Sequence, residues 1–174
     1  MEMERERVPG RGDEFNDISL DPGHFHAALV QKTTYDQVWP KVMVYAPEGP
    51  DVQDHLNRIQ GFNERLDNPT SWIEEVYTGP DFFEKMIAES KGNVVVTSGN
   101  NSKKTDYIYQ AVKAGFNIFA DKPMVILPEK FDLLVQSFDQ AQKNGVLLYD
   151  IMTERYEITT ILQRELANTS AVFG

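Results

Sequence analysis

The sequence contains no cysteine, which removes disulfides, thiolate metal sites and cysteine nucleophiles together and says little about compartment. It has no apolar run approaching the roughly 18 residues that a membrane span requires, so a membrane is excluded as its seat. The opening stretch MEMERERVPGRGDEF is charged and holds no apolar leader core, so the expected location is the cytoplasm, a leader removed in processing aside. Basic charge is short as well. Seventeen Lys and Arg stand against 27 Asp and Glu, a net charge of −10, and a module that grips nucleic-acid phosphates needs the opposite balance. Histidine is scarce, with only His24, His26 and His55 for a metal site to draw on.

What the chain does have is size and alternation. Its 174 residues, 41% of them hydrophobic, suffice for one soluble domain with a substantial core. Residues 17–20 read as a strand and 26–32 as a helix. The apolar, β-branched run 42–45 reads as a second strand. From Asp51, Val52, Leu56, Ile59, Phe62 and Leu66 recur in steps of three and four and mark one face of a helix. A short strand over 72–77, a helix opened by Asp81, the strand 93–97, a helix over 103–114 and a strand over 116–120 follow. Pro128 starts a helix with Phe131, Leu134, Val135, Phe138 and Ala141 on one face; a strand over 146–149 and a helix over 153–168 complete the series. Strands alternating with helices predict an α/β domain, a doubly wound and mostly parallel sheet. Residues 1–16 read as a polar extension, 17–153 as the domain, and 154–174 as a linker helix and the start of a truncated second domain. The end, Ser170-Ala171-Val172-Phe173-Gly174, has the look of a strand beginning.

Ligands of such sheets bind beyond the carboxyl ends of the strands, which points to 21–26, 46–48, 98–101, 121–123 and 150–155. The first turn, Asp21-Pro22-Gly23-His24-Phe25-His26, stands where a dinucleotide fingerprint would have three glycines. Gly23 alone remains, placed where backbone approaches a pyrophosphate. Asp21-Pro22-Gly23 equally suits a plain turn with the aspartate as acceptor, and the residues leave both readings open. Histidines at i and i+2 face one way only in an extended strand. This segment is turning into a helix, so no metal site is expected: His24 reads as a donor to a ligand phosphate and His26 as a packed corner. Glu48, just past strand two, is placed to hold the ribose hydroxyls of NAD, where a 2′-phosphate would be repelled; a solvated loop carboxylate is the competing reading. Lys122, at the sheet's carboxyl edge, can donate to a ribose or substrate hydroxyl and serve proton transfer. Pro123 keeps that lysine's backbone out of a helix. On its own the tripeptide Asp121-Lys122-Pro123 also fits an exposed loop.

The stretch NVVVTSGNNSKKTDYIYQAVKAGFNIFADKPMVI, residues 93–126, resembles the core of the Gfo/Idh/MocA family of NAD(P)-dependent oxidoreductases. That family has a strand ending in a small-Thr-Pro-Asn turn, a helix closing on Ala-Gly, a strand, and a Glu-Lys-Pro motif. Ala114-Gly115 and Asp121-Lys122-Pro123-Met124 stand in the last places, with Asp for Glu, and the likeness extends loosely over 18–155. The resemblance implies a Rossmann domain binding NAD or NADP, NAD favoured, followed by an α/β domain that builds the substrate site and a homo-oligomer interface. It makes Lys122 the catalytic residue, touching the nicotinamide ribose and a substrate hydroxyl, and sets Ser98, Gly99, Asn100 and Asn101 along the cofactor. Gly23, His24, Phe25, Glu48, Asp121 and Pro123 complete the expected cofactor contacts. The Lys122–Pro123 bond is often cis in relatives, and substrates are sugars, cyclitols or their derivatives.

Three departures bear on cofactor affinity and choice. The fingerprint is reduced to Gly23, Gly99 replaces the strand-four proline, and the histidine often found after it is replaced around Lys103. A subgroup with an Asp-Pro-Gly-His first turn and no assigned reaction is the nearest resemblance. The expectation is therefore the cofactor-binding half of a dehydrogenase, without turnover on its own. The alternative is a non-catalytic Rossmann module, regulatory or scaffolding, that has lost dinucleotide binding. A methyltransferase is a third reading, but it gives Lys122-Pro123 no task.

Overall fold

The computed structural model describes residues 15–152, 154 and 156–173. Short buried runs form six strands: β1 (Asp17–Leu20), β2 (Lys41–Tyr45), β3 (Ile73–Tyr77), β4 (Val94–Thr97), β5 (Asn117–Asp121) and β6 (Leu148–Ile151). They make one sheet in the order β3-β2-β1-β4-β5-β6, and every pairing is parallel. Parallel neighbours require crossovers, supplied by α1 (His26–Leu29), α2 (Pro50–Glu64), α3 (Phe82–Glu89), α4 (Asn101–Lys113) and α5 (Phe131–Asn144). Two helices follow β6, α6 (Ile158–Ala167) and α7 (Ser170–Phe173). This is the doubly wound, Rossmann-like architecture the alternation predicts.

Alternation along each strand divides the core between two faces. Ile18, Leu20, Met43, Tyr45, Val95 and Ile118 meet Phe83 and Met86 of α3 and Ile108 and Val112 of α4. On the other face Val42 packs with Ala28, Ile59 and Trp72, and Val44 with Val52. Farther along that face, Val94, Val96, Phe119 and Ile151 line an apolar groove of about 470 Å³. No described helix is long and apolar enough to cross a membrane.

The differences from expectation have local causes. Helix α1 ends at Leu29 instead of reaching 32, because Gln31 and Lys32 donate to carbonyls three residues back and the Gln31 carbonyl accepts from the Trp72 indole (2.6 Å). Strand β6 sits two residues later than expected, since pairing starts where Ile118 N–H donates to the Leu147 carbonyl (2.7 Å). Helix α6 starts at Ile158 instead of 153, where the Glu157 carboxylate accepts from Thr159 N–H (2.9 Å) and Thr160 N–H (3.1 Å) as an N-cap. Residues 170–173 are helical, not the beginning of a strand. Phe131, Val135 and Phe138 are exposed, since α5 packs on α4 through a stripe narrower than the apolar face. Residue 153, the expected end of the domain, and most of the extension 1–16 lie outside the described residues.

Glu74, on the edge strand β3, gives a pH test of the packing. Its carboxylate is largely buried and accepts from the Gln31 amide; burial, more than the nearby Asp17, pushes its pKa from 4.5 up to about 7. The folded chain thus holds this proton more tightly than the unfolded chain. The stability it confers is complete below pH 4.5 and is lost as pH rises through 7. Glu74→Gln keeps the acceptor and removes the charge, so urea unfolding at pH 8 is expected to show a gain of about 2 kcal/mol, closing towards pH 4.5.

Candidate functional site

Strand order reverses between β1 and β4, and their connections leave the sheet in opposite directions and open a crevice at the carboxyl edge. A cavity of about 610 Å³ lies there. Gly23, His24, Ser98, Gly99, Asn100, Asn101, Asp121, Lys122 and Pro123 line it together. Phe25 and Glu48 are not among its lining residues. Phe25 is the residue before α1 and is 46% exposed, and Glu48 is an exposed loop residue. The wall below β2 is made instead by Pro47 and by Asp51 in the first turn of α2.

The first turn shows why an aspartate stands at the first glycine position. Asp21 has φ 48°, a left-handed conformation that aspartate tolerates better than most residues. Its N–H donates to the Tyr45 carbonyl (2.9 Å). Its carboxylate accepts from Asn100 N–H (3.3 Å), so its charge is engaged by the β4 loop. Gly99 permits this approach: a Cβ there would stand 1.9 Å from the Asp21 carbonyl oxygen. Gly23 is less confined but still tight, a Cβ there lying 3.2 Å from the Gly99 Cα and 3.3 Å from Asp51 Oδ2.

Asp121 closes the β5 end of the site. Its Oδ1 accepts from His26 Nδ1 (2.9 Å) and its Oδ2 from Ser98 Oγ (3.0 Å). His24 Nδ1 lies 3.0 Å from Oδ2, but out of line for a hydrogen bond. Lys104, fully buried, donates to Asn101 Oδ1 (2.6 Å) and to the Asp121 carbonyl (3.1 Å). Burial would raise the Asp121 carboxyl; the bonds from His26 and Ser98 and the charges of His26 and Lys122 outweigh it and hold the group below its ordinary value. Burial lowers His24, with Asp121 opposing and His26 and Lys122 assisting. Burial also lowers Lys104, against the pull of Asp121. The Lys122–Pro123 peptide is cis, and the following Met124 carbonyl accepts from Thr105 Oγ (2.7 Å).

The two histidines do not diverge as the spacing suggests. Phe25 between them has φ −59° and ψ −18°, and this turn brings the two imidazole centroids to 4.4 Å. The two rings meet although the segment is not extended, because Phe25 already has helical dihedral angles and His26 is the first residue of α1. Asp51 and Lys104 were missed as site residues. Position 104 falls four residues before Ile108, on the buried face of α4, and that periodicity was the available signal.

No family model and no curated protein matches the chain. Among solved structures it is similar to a protein of Parabacteroides merdae provisionally named an oxidoreductase, with 58% identity over 91% of this chain and 36% of that one, at a TM-score of 0.87. The WlbA dehydrogenase of Bordetella pertussis, solved with NADH and UDP-GlcNAcA, shares the fold at 12% identity over 91% and 41% of the two chains, TM-score 0.63. So does myo-inositol 2-dehydrogenase of Lactobacillus plantarum, at 12% identity over 89% and 41%, TM-score 0.61. The chain spans 36% to 41% of the length of these proteins.

The contact between the β1 and β4 turns sets the site's shape and can be tested on stability. Gly99→Ala places a methyl against backbone that cannot swing aside. It is expected to lower the urea-derived unfolding free energy by about 1 to 3 kcal/mol, whereas the same change at Gly61, where a Cβ meets nothing within 4 Å, is expected to be neutral or stabilising.

Proposed function

We propose, given that this chain carries the N-terminal Rossmann domain of the Gfo/Idh/MocA-type oxidoreductases, that it holds a nicotinamide dinucleotide for hydride exchange with an alcohol carbon of a sugar, cyclitol or related polyol. The observation that supports this best is the meeting of Gly23, Ser98, Asp121 and Lys122 around one cavity at the point where strand order reverses. The residues present fit such a group. Gly23 and Gly99 are close enough that a side chain on either would intrude on the neighbouring turn, and the wall is rich in amide, hydroxyl and lysine donors. WlbA was solved with NADH and a UDP-sugar and the Lactobacillus enzyme is named for inositol, which favours a carbohydrate-like alcohol here.

Once bound, the nicotinamide supplies or accepts the hydride. Lys122, exposed at the cavity, serves as the catalytic residue by bonding the ribose and the reacting hydroxyl and helping its proton to move. Ser98, Asn100, Asn101 and His24 donate along the cofactor. Asp51 takes the ribose contact expected of Glu48; its carboxylate suits two hydroxyls and repels a 2′-phosphate, which favours NAD over NADP. In this reading the dinucleotide is held by 17–153, and 154–174 leads towards a second domain that walls the substrate and forms a homo-oligomer contact.

One observation favours the competing reading of a Rossmann module without dinucleotide: α1 is a single turn and offers a diphosphate little helix dipole. Calorimetric titration separates the two. NAD is expected to bind in the micromolar range, NADP at least about tenfold more weakly, and Lys122→Ala or Gly23→Val to weaken NAD about tenfold or more. Absence of heat with both dinucleotides selects the non-catalytic module.

A further inference from the structure

We propose that His24, His26 and Asp121 form a binding site for one divalent transition-metal ion, zinc foremost, at the Lys122 corner of the cavity. The inference goes beyond the dinucleotide reading and does not require it. Each of the three residues offers a ligand atom, and these atoms all lie within 4.8 Å of one another. Metal–nitrogen and metal–oxygen bonds of about 2.0 to 2.2 Å set neighbouring ligand atoms about 3 to 3.5 Å apart. The two measured imidazole–carboxylate separations, 2.9 and 3.0 Å, fall at or just below that spacing, and the outer limit for the trio, 4.8 Å, lies above it, so the side chains must adjust to admit an ion.

A second observation points to a missing partner. His24 Nδ1 is buried and has no hydrogen-bond partner, although 41% of the side chain is exposed. A buried ring nitrogen without a partner is costly. Here it faces a carboxylate oxygen at 3.0 Å already satisfied by Ser98. A cation between nitrogen and carboxylate satisfies both.

The surroundings resemble those that orient metal ligands. Ser98 Oγ fixes the Asp121 carboxylate and Lys104 Nζ fixes its backbone carbonyl. Three protein ligands leave a coordination position for water or a substrate oxygen, the arrangement of catalytic rather than structural zinc, and His24 borders the cavity. An ion there would polarise an alcohol oxygen next to Lys122 as a Lewis acid. The ammonium groups of Lys104 and Lys122 act on this corner and temper the affinity of a dication.

The test is titration of the chelator-stripped full chain with Zn²⁺ in competition with a chromophoric chelator, and with Co²⁺ followed by visible absorbance. One equivalent is expected to bind at micromolar affinity or better. His24→Ala and Asp121→Asn are expected to weaken it at least tenfold and to abolish the cobalt bands, and Asp51→Asn to leave both unchanged. His26 is buried, so the test is read at half-exposed His24, with circular dichroism confirming the fold. No stoichiometric binding, or binding undiminished by His24→Ala, overturns the proposal and leaves the trio a hydrogen-bond network. Calorimetry with NAD on the metal-free chain is read separately, so loss of one reading does not imply loss of the other.

Discussion

A buried carboxylate at the end of β5 is the constraint on which the rest of the site depends. Asp121 is 2% exposed, and an ionised group so placed persists only when its oxygens are matched by donors. The donors come from segments far apart in sequence: His26 from the first turn and Ser98 from the loop after β4. Lys104 of α4 holds the same residue's carbonyl. Satisfying one charge therefore ties the turn after β1, the loop after β4 and the end of β5 together. The cavity is what remains between them.

That constraint also accounts for the missing glycines. In the usual fingerprint the third glycine lets helix and strand pack closely. His26 occupies that place with a side chain that is itself buried, and its imidazole spans the gap to Asp121 that close packing would otherwise remove. The first glycine is replaced by a residue in the same left-handed conformation, its carboxylate capping the β4 loop. Only Gly23 is kept, and it is the position where a side chain would press on the Gly99 backbone and on Asp51. The net charge of −10 describes the solvated surface rather than this corner, where Lys103, Lys104 and Lys122 answer Asp21, Asp51 and Asp121.

The strands were legible because buried parallel strands are short β-branched runs punctuated by glycine and proline, and 42–45 and 93–97 are of that kind. Their carboxyl ends then located Ser98 to Asn101 and Lys122 without reference to side-chain contacts. What was not legible depended on contacts across the fold. The Trp72 indole that ends α1 lies 41 residues from its acceptor at Gln31. Asp51 outranks Glu48 only through the path the chain takes after Pro47, which no periodicity encodes. The convergence of His24 and His26 rests on the helical backbone at Phe25 and on the Asp121 carboxylate that both rings face.

Two differences from the pattern this chain resembles are coupled in the structure. The motif at the end of β5 reads Asp-Lys-Pro where the family has Glu-Lys-Pro, and the first turn carries histidines where the fingerprint has glycine. Each by itself would be unfavourable. A glutamate at position 121 would carry its carboxylate one methylene farther, into rings whose nitrogens already stand at 2.9 and 3.0 Å. Conversely, an aspartate facing a glycine-rich turn would lose its donor from His26 and sit buried with Ser98 as its remaining side-chain bond. Shortening the acid and enlarging the turn compensate each other. The first turn and Asp121 are thus complementary, the histidine of one supplying the donor that the buried carboxylate of the other needs. The chemistry of this corner belongs to the pair.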